Sequence, residues 1–239
     1  MASTKLSAAV LAGLLTATLA ACGSNDVSTG TSPATSSTAA APAPTTTAPA
    51  TTAPATPKVL ATVPDMSKGE STTVTLDEQF VKGLTSLKVK PGVVGETKLE
   101  DGALIFPITG GMATLYEKGT TGTDPFIVGV IEHEGQGITL TAGGKEVELK
   151  NFDVDAGKSE IRTDISVDGK KFQDDVPTFI ADGTDLEYPP TTEGNNTILE
   201  GTEVKLSGTA AGALNKVFGV TAFSDGFPIG VAKIAIAKS

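Results

Sequence analysis

Apolar and polar residues alternate with a period of two over much of the chain beyond residue 58. In Glu160–Val167, for example, polar side chains separate Ile161, Ile165 and Val167. Because successive side chains of a strand point to opposite faces, this pattern predicts strands with one buried and one solvated face. Glycine turns such as Gly143-Gly144 separate these segments, as in antiparallel hairpins. The alternation therefore predicts an all-β fold, an antiparallel sandwich or barrel.

Two segments depart from the alternation and have the apolar spacing of short helices. Leu76–Leu87 follows Thr75, a candidate N-cap residue. Thr209–Phe218 ends before Gly219, a candidate C-cap residue. The alternating or apolar segments that predict strands are Ala103–Thr109, Met112–Glu117, Phe126–His133, Ile138–Ala142, Lys145–Leu149, Glu160–Val167, Glu203–Leu206 and Val231–Ala237.

The segment from Phe172 to Tyr188 has no clear period and contains Pro177 and an Asp-Gly pair. We therefore expect a long loop there, and long loops on compact β domains often serve recognition. Exposed aromatic residues are suited to anchoring an interface. Phe179 and Tyr188 are accordingly candidate interface residues, or alternatively they cover one open end of the sandwich.

The N-terminus has the outline of a signal peptide. Residues 1–21 comprise a short head with Lys5 and an apolar run from Ala8 to Leu19, which is too short for a comfortable membrane-spanning helix. The following tetrapeptide, Leu19 to Cys22, resembles the bacterial lipobox, and this resemblance implies that Cys22 is lipidated after cleavage. We therefore expect an exported protein anchored to the outer face of the cytoplasmic membrane. The alternative is a plain secretory signal followed by an unmodified Cys22.

Residues 22–57 consist almost entirely of Thr, Ala, Pro and Ser, with Asp26 as their only charged residue. Such a segment lacks the apolar side chains needed for a core, and its prolines favour extended conformations. It predicts a disordered stalk. All nine Phe and both Tyr residues follow Lys58. We therefore expect residues 58–239 to form a single β-rich domain.

Composition excludes several classes of site. The chain has one His, one Cys and no Trp, which excludes disulfides, cysteine zinc sites and sites that need two imidazoles. Its net charge of −10 opposes binding to nucleic acid and to anionic lipid headgroups. The stretch from Asp153 to Gly157 opens like a calcium loop but lacks the later acidic ligands. We therefore predict no metal site.

Four consecutive stretches of the chain resemble a known family in their order. Gly129–Gly135, Gly137–Ala142, Val147–Asp155 and Glu160–Val167 together resemble the core of the HtaA-type domain, a β-rich extracellular module of Gram-positive haem-uptake proteins. A group of uncharacterised exported proteins shares this core and, in addition, stretches similar to Leu206–Leu214, Phe218–Phe223 and Gly226–Gly230. The resemblance implies a β-rich extracellular domain.

The same resemblance implies a candidate haem site. The family uses a Tyr as axial ligand with a His nearby. His133 falls in the family-like segment, whereas the position of the family's Tyr holds Leu, Thr and Lys here, so Tyr116 is the nearest substitute. A second interpretation of His133 is a surface residue at a strand end before the Gly135 turn. Its neighbours Glu132 and Glu134 would then point to the opposite face of the strand.

These observations favour a non-enzymatic lipoprotein of the cell envelope that presents a binding or structural module outside the membrane. Its partner would be an envelope component, a small hydrophobic ligand or another protein, with no cofactor and no catalytic residue. The first alternative is a haem-binding or haem-relay protein that uses Tyr116 and His133. The second is a hydrolase of cell-wall glycans that uses a pair of carboxylates.

Overall fold

The computed structural model describes residues 56–120 and 126–237. They belong to one compact unit, Thr51–Ser239. The predicted signal peptide, Cys22 and almost all of the predicted stalk lie outside the described residues. The described residues form β1 (Val59–Val63), β2 (Ser71–Leu76), α1 (Glu78–Ser86), β3 (Lys90–Val94), β4 (Lys98–Glu100), β5 (Ala103–Pro107), β6 (Gly110–Tyr116), β7 (Ile127–Ala142), β8 (Lys145–Asp155), β9 (Glu160–Val167), β10 (Lys170–Asp182), β11 (Thr191–Glu193), β12 (Asn196–Leu206), α2 (Gly208–Phe218) and β13 (Phe227–Ala237).

All these strands belong to one antiparallel sheet in the order β1-β6-β7-β8-β9-β10-β12-β13-β2-β5-β4. In addition, β11 pairs with β12, and β3 pairs with the C-terminal half of β7. The sheet folds over on itself, because β5 approaches β7 and the Thr109 amide donates to the Glu132 carbonyl. No ladder among the described residues joins β1 to β4, so the sheet stays open. The predicted all-β antiparallel fold with two short helices is confirmed.

Strand β7 is longer than the sequence predicts. The predicted turn at Gly135–Gly137 is wrong, because one strand runs from Ile127 to Ala142. Its register against β8 shifts between His133 and Gly137, so the extra residues form a bulge and not a hairpin. Side chains from other elements hold this bulge: the Gly135 amide donates to Asn151 Oδ1, and Gln136 Oε1 accepts from the Glu96 amide.

The predicted loop between Phe172 and Tyr188 is also wrong over most of its length. Strand β10 occupies Lys170–Asp182 and pairs with both β9 and β12. Its register against β9 shifts three times, and these irregularities accommodate Pro177 within the strand. Bulges interrupt the alternation of side chains, which is why the segment has no period of two in the sequence.

Both predicted helices form, and each starts within two residues of its predicted start. Helix α1 begins at Glu78 and is capped by Asp77, whose side chain accepts from the Gln79 amide, and not by Thr75. Helix α2 is capped by Ser207 and ends at Gly219, which adopts the left-handed conformation with φ 66°. The helices bury Phe80, Leu84 and Leu214, among others, against the main core.

The buried side chains form two clusters. The larger lies between the folded-over walls of the sheet and the two helices, and it includes Phe106, Phe152 and Phe179. The smaller includes Met66 and Phe126. Thr51–Ser239 is one compact unit, and both clusters belong to it, as expected of a segment that folds by itself.

Substitution of glycine by alanine should change the free energy of unfolding in opposite directions at two positions. Gly129 has φ 141°, and a Cβ there would lie 2.1 Å from the Met112 carbonyl oxygen of β6. We expect Gly129→Ala to lower the free energy of unfolding by about 2 kcal/mol or more. Gly212 lies inside α2 with open space around a Cβ. Gly212→Ala should raise the free energy of unfolding by up to about 1 kcal/mol through helix propensity.

Urea denaturation of segment 51–239 and of the two variants measures both effects. Equal free energies of unfolding for Gly129→Ala and the parent segment would contradict the close approach of β6 to β7.

Candidate functional site

His133, the single imidazole of the chain, is buried in the main core with 1% of its surface exposed. Its Nδ1 lies 2.9 Å from the Phe152 carbonyl oxygen, and its Nε2 lies 2.9 Å from Thr72 Oγ1. A carbonyl oxygen only accepts, so Nδ1 carries the proton and donates to Phe152. In the neutral ring Nε2 is then the acceptor, and the Thr72 hydroxyl donates to it.

These two hydrogen bonds connect opposite walls of the folded-over sheet. Phe152 lies on β8, directly opposite His133 of β7, at a bulge where the register of β8 against β9 shifts. Thr72 lies on β2, and five strands separate β2 from β7 in the sheet order. The imidazole therefore acts as a polar bridge through an otherwise apolar core.

Aromatic rings surround this polar bridge. The Phe106 ring meets the imidazole edge-on with 6.0 Å between centroids, and it also contacts the Phe152 ring at 4.9 Å. Phe179 stacks on Phe152 at 6.0 Å. A cavity of about 50 Å³ remains beside these rings. It is far smaller than the roughly 150 Å³ that accommodates benzene in a protein core, so the interior is a packed core and not a ligand pocket.

Burial determines the protonation state of His133. Removal from water lowers the pKa of the imidazole from its ordinary value of 6.5 to about 4, while the hydrogen bond to the Phe152 carbonyl acts in the opposite direction. The ring is therefore neutral at physiological pH. Its donor and its acceptor are both engaged, which leaves no free nitrogen for a metal or a substrate.

The neighbours of His133 on β7 lie on the outer face of the sheet. Glu132 and Glu134 are exposed, as the alternation predicts. Glu132 pairs across the ladder with Asp153, which is partly buried. Burial raises the pKa of the Asp153 carboxyl, and the negative charges of Glu132 and Glu134 raise it further. This acidic face is separated from the imidazole by the strand itself.

Tyr116 and His133 lie too far apart to share a ligand. The Tyr116 amide donates to the Phe126 carbonyl at the start of β7, whereas His133 lies seven residues further along. A strand rises about 3.3 Å per residue, so the backbone positions opposite Tyr116 and at His133 are about 20 Å apart along β7. The structure therefore does not bring the two candidate haem residues, Tyr116 and His133, together on β7, and it places His133 in the core. The prediction of a surface His at a strand end is wrong, because β7 continues through the bulge and turns His133 inward.

The two candidate interface residues have different environments. Phe179 lies on β10 between Ile161 and Leu206 and is 6% exposed, so its prediction as an exposed anchor is wrong. Tyr188 is 37% exposed and contacts the Phe126 ring edge-on at 5.0 Å. It remains a candidate surface residue.

Sequence reasoning missed Thr72, the partner of His133 on β2. The only signal for it is the alternation in Ser71–Leu76, which places Thr72 and Val74 on one face. Nothing in the sequence connects that face to His133, because the two residues are 61 positions apart. The Phe152 carbonyl is a backbone group and has no sequence signal.

Comparisons with known proteins bear on the fold. No protein-family model matches the chain, and no curated protein matches it. Among solved structures the chain is similar to the C-terminal domain of HtaA from Corynebacterium glutamicum, with a TM-score of 0.47 and 11% sequence identity. The similarity covers 74% of this chain and 99% of that domain. The predicted resemblance to HtaA-type domains is confirmed as a distant one.

Neither helix in residues 56–120 and 126–237 is long and apolar enough to cross a membrane. No group of three or more His, Cys, Asp or Glu residues there is placed to hold a metal ion.

The burial of His133 predicts its titration. The chain has one His, so its imidazole gives a single set of proton resonances in segment 51–239. We expect their chemical shifts to remain constant between pH 7.5 and 5.5 and to titrate near pH 4, the value to which burial lowers the pKa. A midpoint near 6.5 would contradict the buried bridge.

The same shift predicts a loss of stability in acid. The unfolded chain binds a proton at His133 as the pH falls through 6.5, whereas the folded chain binds it only near pH 4. The free energy of unfolding should therefore fall by about 3 kcal/mol between pH 7 and pH 4 through this group. His133→Gln, which has no such titration, is the reference for the contribution of the carboxyl groups. Parallel pH profiles for the two proteins would contradict the linkage.

Proposed function

We propose that this protein is a non-enzymatic, lipid-anchored component of the cell envelope that presents a β-rich binding module outside the membrane. The observation that carries the proposal is that His133, the one imidazole of the chain, is buried in the core, where it is hydrogen-bonded to Thr72 and to the Phe152 carbonyl. The side chain most often used for acid–base catalysis at neutral pH is thereby neutral, buried and fully hydrogen-bonded.

Binding takes place on the outer surface and not in the interior. The cavity beside His133 is small, and the rings of Phe106, Phe152 and Phe179 fill the space around it. A small hydrophobic ligand would have to displace core side chains, which typically costs about 1–3 kcal/mol. A surface partner requires no such change, which favours an envelope component or another protein as the partner.

The structure also bears on the two alternative functions. Haem ligation by Tyr116 and His133 together is opposed by the distance of about 20 Å between their backbone positions along β7. A glycan hydrolase needs two carboxylates on either side of a cleft. Asp153 and its partner Glu132 instead lie side by side on the outer face of two neighbouring strands. Both observations favour the binding role.

Lipid anchoring predicts the behaviour of a variant at Cys22. In cells supplied with labelled palmitate, the full chain should carry the label and sediment with membranes, because two acyl chains anchor a protein stably. Cys22→Ala should carry no label and leave the membrane fraction. A labelled Cys22→Ala variant, or an unlabelled parent chain, would contradict the anchor. Gly23→Ala, next to the modified residue, is the matched control and should be labelled as the parent is.

The absence of a shared Tyr116 and His133 site predicts the result of a hemin titration. When hemin is added to segment 51–239, we expect no saturable Soret shift that requires both Tyr116 and His133. The reason is that the two residues are too far apart to contact one iron. The titration is repeated with Tyr116→Phe and with His133→Gln. A saturable Soret shift that either variant abolishes would support the haem alternative and contradict the proposal.

A further inference from the structure

Four parts of the chain meet at one end of the sheet, which we call the hairpin end. They are the turn between β7 and β8 (Ala142–Lys145), the turn between β9 and β10 (Val167–Phe172), and the chain after the helices, at Leu87–Lys90 and Gly219–Val220. The strand registers place them together, because Lys90 faces Thr141, Ala142 faces Lys145, and Val147 and Lys170 both face Val167. The first strand of the described chain lies far from this end, since β1 pairs with β6 and β6 pairs with the other half of β7.

The hairpin end has a positive charge that the whole chain does not have. Four carboxylates lie in these parts of the chain or next to them: Glu146, Glu148, Asp168 and Asp174. Against them are six lysines in the same parts or next to them, which leaves a surplus of two positive charges on a chain whose net charge is −10. At physiological ionic strength charges are screened beyond about 8 Å, so a partner at this end experiences the local charge and not the total. The six lysines are Lys88, Lys90, Lys145, Lys170, Lys171 and Lys216.

Three of these lysines surround an open cleft of about 450 Å³ between the C-terminal ends of the two helices. Leu87, Val217 and other apolar side chains also line this cleft, and no carboxylate is among its lining residues. Lys145 forms an ion pair with Asp168 at 2.7 Å. Lys88 and Lys216 have no ion-pair partner in the described part of the chain. Their charge exceeds the partial negative charge of about one half that each helix C-terminus contributes.

An exposed aromatic residue lies beside the lysines. Phe172 is 62% exposed, the largest exposure of any large apolar side chain among the described residues. Lys170 and Lys171 precede it, and its ring lies at an apolar crevice between α2 and β8–β10 that Leu214 and Val217 also line. Lys171 is ion-paired with Asp174, which leaves Lys170 as the lysine next to Phe172 without an ion-pair partner in the described part of the chain. Basic residues next to an exposed Phe are typical of surfaces that bind at the interface of an anionic bilayer.

We propose that the hairpin end docks on the surface of a bilayer that contains anionic phospholipids. Lys88 and Lys216 bind headgroup phosphates at the cleft, and Phe172 enters the boundary between headgroups and acyl chains. This inference rests on the proposed membrane-anchored function and names the surface that the domain contacts. A soluble polyanion could pair with the lysines, but it would leave Phe172 and the apolar crevice exposed to water. The combination therefore favours a lipid surface.

Vesicle sedimentation tests the docking without the lipid anchor. Segment 51–239, which contains its own core, is mixed with vesicles of phosphatidylcholine alone or of phosphatidylcholine and phosphatidylglycerol. We expect binding to the vesicles that contain phosphatidylglycerol, weakening as salt is added because the attraction is electrostatic. Binding to both vesicle types alike, or to neither, would overturn the proposal.

Matched variants test whether the binding is at the hairpin end. The double variant Lys88→Gln and Lys216→Gln should weaken binding about 30-fold, since each lysine near an anionic surface contributes about fivefold. The control is Lys68→Gln with Lys98→Gln, which removes the same charge from exposed positions outside the hairpin end. Phe172→Ser should weaken binding several-fold without lowering the free energy of unfolding, because the ring is exposed. Equal losses for the control and the test variant would overturn the location.

A final arm distinguishes a lipid surface from other anions. Poly-L-glutamate and inorganic phosphate are each titrated against the vesicle-bound segment. At equal ionic strength, neither should displace more of the segment than sodium chloride does. Specific displacement by poly-L-glutamate would assign the surface to an acidic peptide, and specific displacement by phosphate would assign it to the free anion. Segment 51–239 lacks Cys22, so vesicle binding and lipidation are tested independently. A segment that does not bind vesicles would leave the palmitate labelling of the full chain unaffected, and an unlabelled full chain would leave the vesicle binding unaffected.

Discussion

The bridge through His133 is the interaction on which the arrangement of the sheet depends. It joins Thr72 of β2 to the Phe152 carbonyl of β8, two strands that do not pair with each other among the described residues. A buried polar group without a partner costs about 1–3 kcal/mol. Loss of either partner would leave such a group in the core, so the two walls have one relative position in which all three groups are satisfied.

That position has consequences for the rest of the molecule. With the walls held together, Phe106, Phe152 and Phe179 pack around the imidazole and leave only a small cavity. The helices close the same core from its side, and their C-terminal ends meet the turns of the hairpin end. The interior is therefore packed, and the basic hairpin end lies on the surface beside it. The first supports a binding function outside the core, and the second has the charge for an anionic surface.

The sequence predicted those elements whose signals are local. Strand β9 has an uninterrupted alternation, and its predicted bounds, Glu160–Val167, match the structure. Helix α2 ends at Phe218 with Gly219 as its C-cap, as predicted, because a left-handed C-cap strongly favours glycine. Strands β7 and β10 were mispredicted, since bulges insert extra residues and break the period on which the prediction depends. Glycine at a bulge and glycine at a hairpin turn have the same appearance in a sequence.

By itself the sequence determined the class of fold, the acidic net charge and the presence of a single imidazole, since each follows from composition or from neighbouring residues. Only the tertiary structure decided that His133 faces inward and bonds to Thr72, that Phe179 is buried, and that Tyr116 lies far from His133. It also decided that lysines from separate segments meet at one end. The physical reason is that strand pairing brings together residues that are distant along the chain, and pairing depends on registers and bulges that no local pattern specifies.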